Sequence, residues 1–99
     1  MVSEYYDRQG QPISDVIAWA KTLDGDRRVA ETTLENGRWV STVWLGLDHS
    51  FGSGPPLIFE TMVFPKDDLR EIDMERYSTE QQAKAGHAAM VERWGKAKP

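Results

Sequence analysis

Asn36-Gly37 sits between two strand-like runs and constrains the folding of this chain more than any other pair of residues in it. Asn-Gly is the preferred centre of a type I′ turn, where both central residues take positive φ and the turn's twist matches that of the flanking strands. A two-residue loop at 36 and 37 predicts Glu35 opposite Arg38, Leu34 opposite Trp39, Thr33 opposite Val40, Thr32 opposite Ser41, Ala30 opposite Val43 and Val29 opposite Trp44. One face of the hairpin then carries Leu34, Trp39, Thr32, Ser41, Ala30, Val43, Leu45 and Leu47, and is the expected core face. The other carries Thr33, Val40, Glu31, Thr42, Val29 and Trp44, a mixed set expected to be half exposed.

The flanking sequence supplies partners for that hairpin. Tyr5-Tyr6-Asp7-Arg8, ended by Gly10 and Pro12, reads as a short strand and turn. Ser14 is placed to cap a helix of about Asp15 to Leu23, whose apolar face is Val16, Ile17, Trp19, Ala20 and Leu23, with Gly25 to end it. Beyond a glycine-rich connection from Asp48 to Pro56, the run Leu57 to Phe64 is apolar on both faces and predicts a central strand. Glu71-Ile72-Asp73-Met74-Glu75 alternates acid with apolar, which predicts an edge strand with Ile72 and Met74 inward. Ser78 and Gln81 form a capping box for a last helix of about Thr79 to Trp94, with the stripe Ala83, Gly86, His87, Met90, Val91 and Trp94. Residues 95–99 are expected to fray. The expected fold is a single α+β domain over residues 1–99. It has two layers, an antiparallel sheet of four or five strands in the order β-α-β-β-β-β-α, and both helices on one face.

Composition narrows the function. A chain of 99 residues buries roughly 65% of its extended surface, enough for one modest core. There are no cysteines, so disulfides, thiolate zinc sites and cysteine nucleophiles are excluded together, and two histidines leave little for a metal beyond carboxylates. The net charge of −4 argues against direct binding to phosphate backbones. No apolar run is long enough to cross a membrane and the N-terminus lacks the pattern of a signal peptide, so the expected location is the cytoplasm.

Several stretches point to a family. Val40-Ser41-Thr42-Val43-Trp44-Leu45-Gly46-Leu47-Asp48-His49, followed by Gly54-Pro55-Pro56-Leu57-Ile58-Phe59-Glu60-Thr61-Met62-Val63-Phe64, resembles a family of small proteins that recurs in bacteriophage and prophage genomes. The opening Tyr5-Tyr6-Asp7-Arg8 with Gly10 and Pro12, and Arg76-Tyr77-Ser78-Thr79 with Ala83, Gly86 and His87, are similar as well, so the resemblance covers most of the chain. It brings no catalytic roles with it. It implies a phage context in the host cytoplasm, where proteins of this size act as inhibitors or adaptors on host machinery, anti-CRISPR proteins among them.

Two classes of function follow. In the first, the chain is a non-enzymatic binding protein that inhibits or redirects a host protein or protein–nucleic-acid complex. Its expected contact residues are Trp44, Val29, Tyr5, Tyr6 and Phe51, as aromatic or apolar anchors at the half-exposed face, and Glu71, Asp73 and Glu75, as an acidic strand edge meeting a basic partner. A second copy of the chain is the other candidate to cover the open face, and the first reading of the acids is that they block pairing at the sheet edge. In the second class, Asp48 and His49 in the glycine-rich loop converge with Glu60 and His87 as a small enzyme or a ligand or metal site. The competing explanations are local: loop hydrogen bonds for Asp48 and His49, and a satisfied core position for His87. No cofactor is implied.

Overall fold

The turn at Asn36-Gly37 forms, but with one residue more than a type I′ loop. The computed structural model describes residues 4–50 and 54–96, and within it only Gly37 of the pair has positive φ, at 90°. Leu34 N–H donates to Arg38 O at 2.8 Å and Gly37 N–H donates to Leu34 O at 2.9 Å, enclosing Glu35, Asn36 and Gly37 in a three-residue loop. This is a type I turn followed by a left-handed glycine, the other common way to close a hairpin. Asn36 stays out of the left-handed region because both ends of its amide are engaged. Its Oδ1 accepts from Arg38 N–H at 3.0 Å and its Nδ2 donates to Trp94 O at 2.8 Å.

The extra residue slips the register by one. In β1 (Arg28–Thr33) and β2 (Trp39–Trp44), Thr33 faces Trp39, Thr32 faces Val40, Glu31 faces Ser41 and Ala30 faces Thr42. A bulge at Val29 then sets Arg28 against Val43. A one-residue slip of one strand moves its side chains to the other face, so Ala30 and Thr32 keep the expected core face while the two faces of β2 are exchanged. Val40, Thr42 and Trp44 are buried at 0, 0 and 2% exposure, while Trp39, Ser41 and Val43 lie on the opposite side, half-buried. The expected pairing of Leu34 with Trp39 and the expected half-exposed Trp44 are both corrected by this one loop.

The other strands complete an antiparallel meander in the order β1-β2-β3-β4, with β3 at Phe59–Phe64 and β4 at Asp73–Tyr77. β3 is a central strand, as expected. β4 starts later than expected and its phase is reversed. Tyr77 is buried on the inner face, so Asp73 also points inward, while Ile72 and Met74, each 40% exposed, lie on the outer face. Asp73 tolerates the inner face because its carboxylate accepts from Arg93 Nη1 at 2.8 Å and from Trp94 Nε1 at 2.9 Å. The expected first strand is reduced to two isolated bridges, Tyr5 with Leu47 and Tyr6 with Pro12.

The helices behave differently from one another. α2 (Glu80–Lys96) lies across the inner face and touches all four strands, burying Ala83, His87 and Met90 of its apolar stripe. Its capping box is formed by Thr79 and Gln82, one residue after the expected pair, and the helix continues through Gly95 and Lys96, where fraying was expected. α1 (Val16–Thr22) is capped by Asp15, whose carboxylate accepts from Ile17 N–H at 2.9 Å, and not by Ser14. Among the described residues α1 has no packing contact with the strands or with α2, so the expected placement of both helices on one face is not seen. It is held at the end of the sheet by Trp19, which donates from Nε1 to Gly46 O at 3.0 Å and packs its ring on Tyr5, with centroids 4.5 Å apart. The α+β class stands, and among the described residues no helix is long and apolar enough to cross a membrane.

Close approach of α2 to β4 depends on Gly86. A Cβ at this position would overlap the ring and hydroxyl of Tyr77. Gly86→Ala is expected to destabilise the fold by roughly 1–3 kcal/mol, the usual range for overpacking, measured by urea denaturation. An unchanged midpoint would show that helix and strand part without cost.

Candidate functional site

The four residues of the catalytic or metal hypothesis do not meet. Asp48 uses Oδ1 to accept from Ser50 N–H at 2.8 Å and Leu57 N–H at 3.0 Å, clamping both ends of the glycine-rich loop. Burial works against its charge, but the hydrogen bonds from Ser50 and Leu57 prevail and hold its pKa below the ordinary carboxylate value. His49 is half-buried and its backbone N–H donates to Leu57 O at 3.0 Å. Glu60 projects from the outer face of β3 and pairs with Arg76 at 2.9 Å. His87 lies under α2 on the inner face, so the sheet separates the two. Among the described residues no three His, Asp or Glu side chains gather where they could hold a metal ion.

His87 instead completes a buried polar row. Strand pairing lines up Ala30, Thr42, Thr61 and Glu75 across the inner face. His87 Nδ1 lies 2.7 Å from Thr42 Oγ1, its Nε2 lies 2.9 Å from Thr32 Oγ1, and the Thr42 and Thr61 hydroxyls are 2.5 Å apart. A neutral imidazole has one N–H donor and one acceptor nitrogen, which the two threonine hydroxyls satisfy. A hydroxyl beside an imidazole is also the arrangement of a nucleophile and its base. Here Thr42 and Thr61 are fully buried, and among the described residues the ring's hydrogen-bond partners are threonine hydroxyls and not a carboxylate.

The remaining polar atoms of this layer are committed or enclosed. Tyr77 has a buried hydroxyl that meets no hydrogen-bond geometry with a partner, and burial pushes its phenol pKa up. The indole N–H of Trp44 is likewise buried and unpartnered.

The expected contact residues are dispersed. Trp44 and Tyr6 belong to the core cluster with Ile58, Phe59, Tyr77 and Ala83, and Val29 packs against it. Tyr5 is half-buried against Trp19, and Phe51 lies outside the described residues. Glu71 and Glu75 are exposed, while Asp73 is held by Arg93 and Trp94.

The outer face of the sheet carries the surface that sequence reasoning missed. One row across it is Thr33, Trp39 and Phe64, continued by Ile72 at the approach to β4. The next is Glu31, Ser41, Met62 and Met74, and the third is Arg28, Val43, Glu60 and Arg76. Trp39 and Phe64 stack with centroids 5.1 Å apart. Charge is concentrated in the third row, and neither helix lies over this face. The alternation in Trp39–Trp44 marks these positions as soon as the three-residue loop is known; the Asn-Gly pair alone points to the wrong alternate set.

No family model, curated protein or solved structure matches the chain.

Burial lowers the pKa of His87 below its ordinary value of 6.5. The unfolded chain therefore takes up this proton more readily than the folded one. The contribution of His87 is fully present above about pH 6.5 and is lost as pH falls through the interval down to the depressed folded value. Urea midpoints measured from about pH 7.5 to pH 5 should fall for the parent. His87→Leu should be less stable at neutral pH by roughly 1–3 kcal/mol, because it strands Thr32 and Thr42, and should show a flatter profile. An equally steep profile in the variant would assign the effect to another group. The carboxylates of Asp48, Asp73 and Glu80, held below their ordinary values, titrate at more acidic pH.

Proposed function

We propose that this chain is a non-enzymatic binding protein whose uncovered outer sheet face is its association surface. The observation carrying this reading is the pair of rows containing Trp39, Phe64, Met62, Met74 and Ile72, apolar side chains left half-wet on a face that neither helix covers. Burial of apolar area contributes about 25 cal/mol per Å², so such a face favours association with another protein surface. The phage setting implied by the sequence resemblance makes a host protein or protein–nucleic-acid complex the target, with the chain acting as an inhibitor or adaptor, in the manner of an anti-CRISPR protein, in the host cytoplasm. A small enzyme or metal-binding domain built on Asp48, His49, Glu60 and His87 is less well supported, because the first clamps a loop, the third is paired with Arg76 and the last is enclosed by threonines.

Trp39 and Trp44 provide the test. Trp39→Ala is expected to abolish or strongly weaken association, seen by light scattering and by pulldown, while lowering stability by only about 1–2 kcal/mol. Trp44→Ala, at a 2% exposed core position, should cost about 3–5 kcal/mol. His49→Ala should leave association and biological effect unchanged. If His49→Ala removed the effect with folding and association intact, the enzymatic reading would displace this one.

A further inference from the structure

We propose that Asn36 is a self-modification site, deamidated by its own backbone, and that the docked end of α2 holds the reaction in check. Asn36 is the only asparagine in the chain and is followed by glycine. In such a pair the next backbone nitrogen attacks the side-chain amide carbon, and glycine, lacking a Cβ, obstructs that approach least. Gly37 N gives up its proton to solvent and bonds to Asn36 Cγ, while Nδ2 takes up a proton and leaves as ammonia. Water then opens the cyclic imide. Breaking the new bond to Cγ gives aspartate, and breaking the original peptide bond gives isoaspartate. Water is the only co-reactant.

The fold requires both residues of this reactive pair. Gly37 has a φ of 90°, and a Cβ there would meet the Lys66 side chain at 2.8 Å. Asn36 Nδ2 donates at 2.8 Å to Trp94 O, one of the last four carbonyls of α2, which a helix leaves without an internal donor. In the folded chain every group the reaction must move is held. Gly37 N–H donates to Leu34 O at 2.9 Å, and Asn36 Oδ1 accepts from Arg38 N–H at 3.0 Å. Attack therefore needs Trp94 to withdraw and the loop to open, and helix ends open more cheaply than a core. The product does not restore the cap. An oxygen replaces Nδ2 opposite Trp94 O, a carboxylate stands at the negative end of the helix dipole, and isoaspartate lengthens the backbone of the loop that sets strand register.

Timed incubation of the full chain in mildly alkaline buffer, followed by mass spectrometry of its tryptic peptide 29–38, reads the exchange of NH for O at Asn36. The folded parent should react about tenfold or more slowly than the same chain in guanidinium chloride. Trp94→Phe removes the indole N–H that donates to Asp73 Oδ2 at 2.9 Å and so loosens the end of α2, leaving Asp73 paired with Arg93. It should react several-fold faster than the folded parent and match it in denaturant; Asp73→Ala carries the same test should Trp94→Phe not fold. Asn36→Asp, which stands for one product, should unfold at a lower urea concentration than the parent. No reaction in denaturant overturns the site. Equal folded and denatured rates, or a folded Trp94→Phe rate equal to the parent's, overturn the check by α2. An unchanged urea midpoint for Asn36→Asp overturns the loss of the cap.

Discussion

Gly37 holds a left-handed backbone in the loop between β1 and β2, and this conformation sets the phase of every strand behind it. Because the loop has three residues, Val40, Thr42 and Trp44 face α2, and β3 and β4 follow through their pairing with β2. A two-residue loop would have turned the same strand over, leaving Val40 and Trp44 wet and placing Trp39 and Val43 under the helix. The choice is reinforced at a distance. Asn36 Nδ2 and Arg38 Nη1 both donate to Trp94 O, and the Arg38 guanidinium lies 5.2 Å from the centre of the Trp94 ring, so the end of α2 and the hairpin loop hold one another.

The layer between α2 and the sheet is organised as apolar, polar, apolar. Trp44, Phe59 and Tyr77 line up at one end with Tyr6, Ile58 and Ala83, while Val40 and Val63 lie at the other with Met90. Between them runs the row containing Thr42 and Thr61, met from above by His87. Two purely apolar patches would let a helix slide along the sheet with little change in energy. A hydrogen-bonding row in the middle penalises such displacement, since each unmet buried hydroxyl or ring nitrogen costs about 1–3 kcal/mol. The His87 network therefore acts as a register mark for α2, which is a structural task performed by groups that resemble a catalytic pair.

The two faces of the sheet divide the work. The inner face absorbs the polar groups with chemical potential and seals them. The outer face retains large apolar side chains and little chemistry. Association is the function we propose from such a division, and the position of Glu60 and Arg76 at the far end of the outer face leaves the apolar rows free of buried charge.

Much of the architecture was legible in the sequence. The stripe of α2, the existence of the 28–44 hairpin, the central position of β3 and the α+β class all follow from local periodicity and turn chemistry, which depend on residues close together in the chain. The part of Asp48 as a loop clamp was also readable, since an aspartate beside a glycine-rich connection ordinarily bonds its own backbone. The phase of the sheet was not. Asn-Gly is compatible with either loop length, and the contact of Asn36 with Trp94 that favours one of them joins residues 58 positions apart. With the phase went the identity of the exposed aromatics, Trp39 in place of Trp44, and the inward turn of Asp73, which is tolerable only because Arg93 and Trp94 reach it from the last turns of α2. Sequence determined which segments form elements, because hydrophobic period and capping are local. Tertiary structure alone decided which side of β2 and of β4 is buried, because in a sheet a single residue of register, set by distant contacts, exchanges the two faces of a strand.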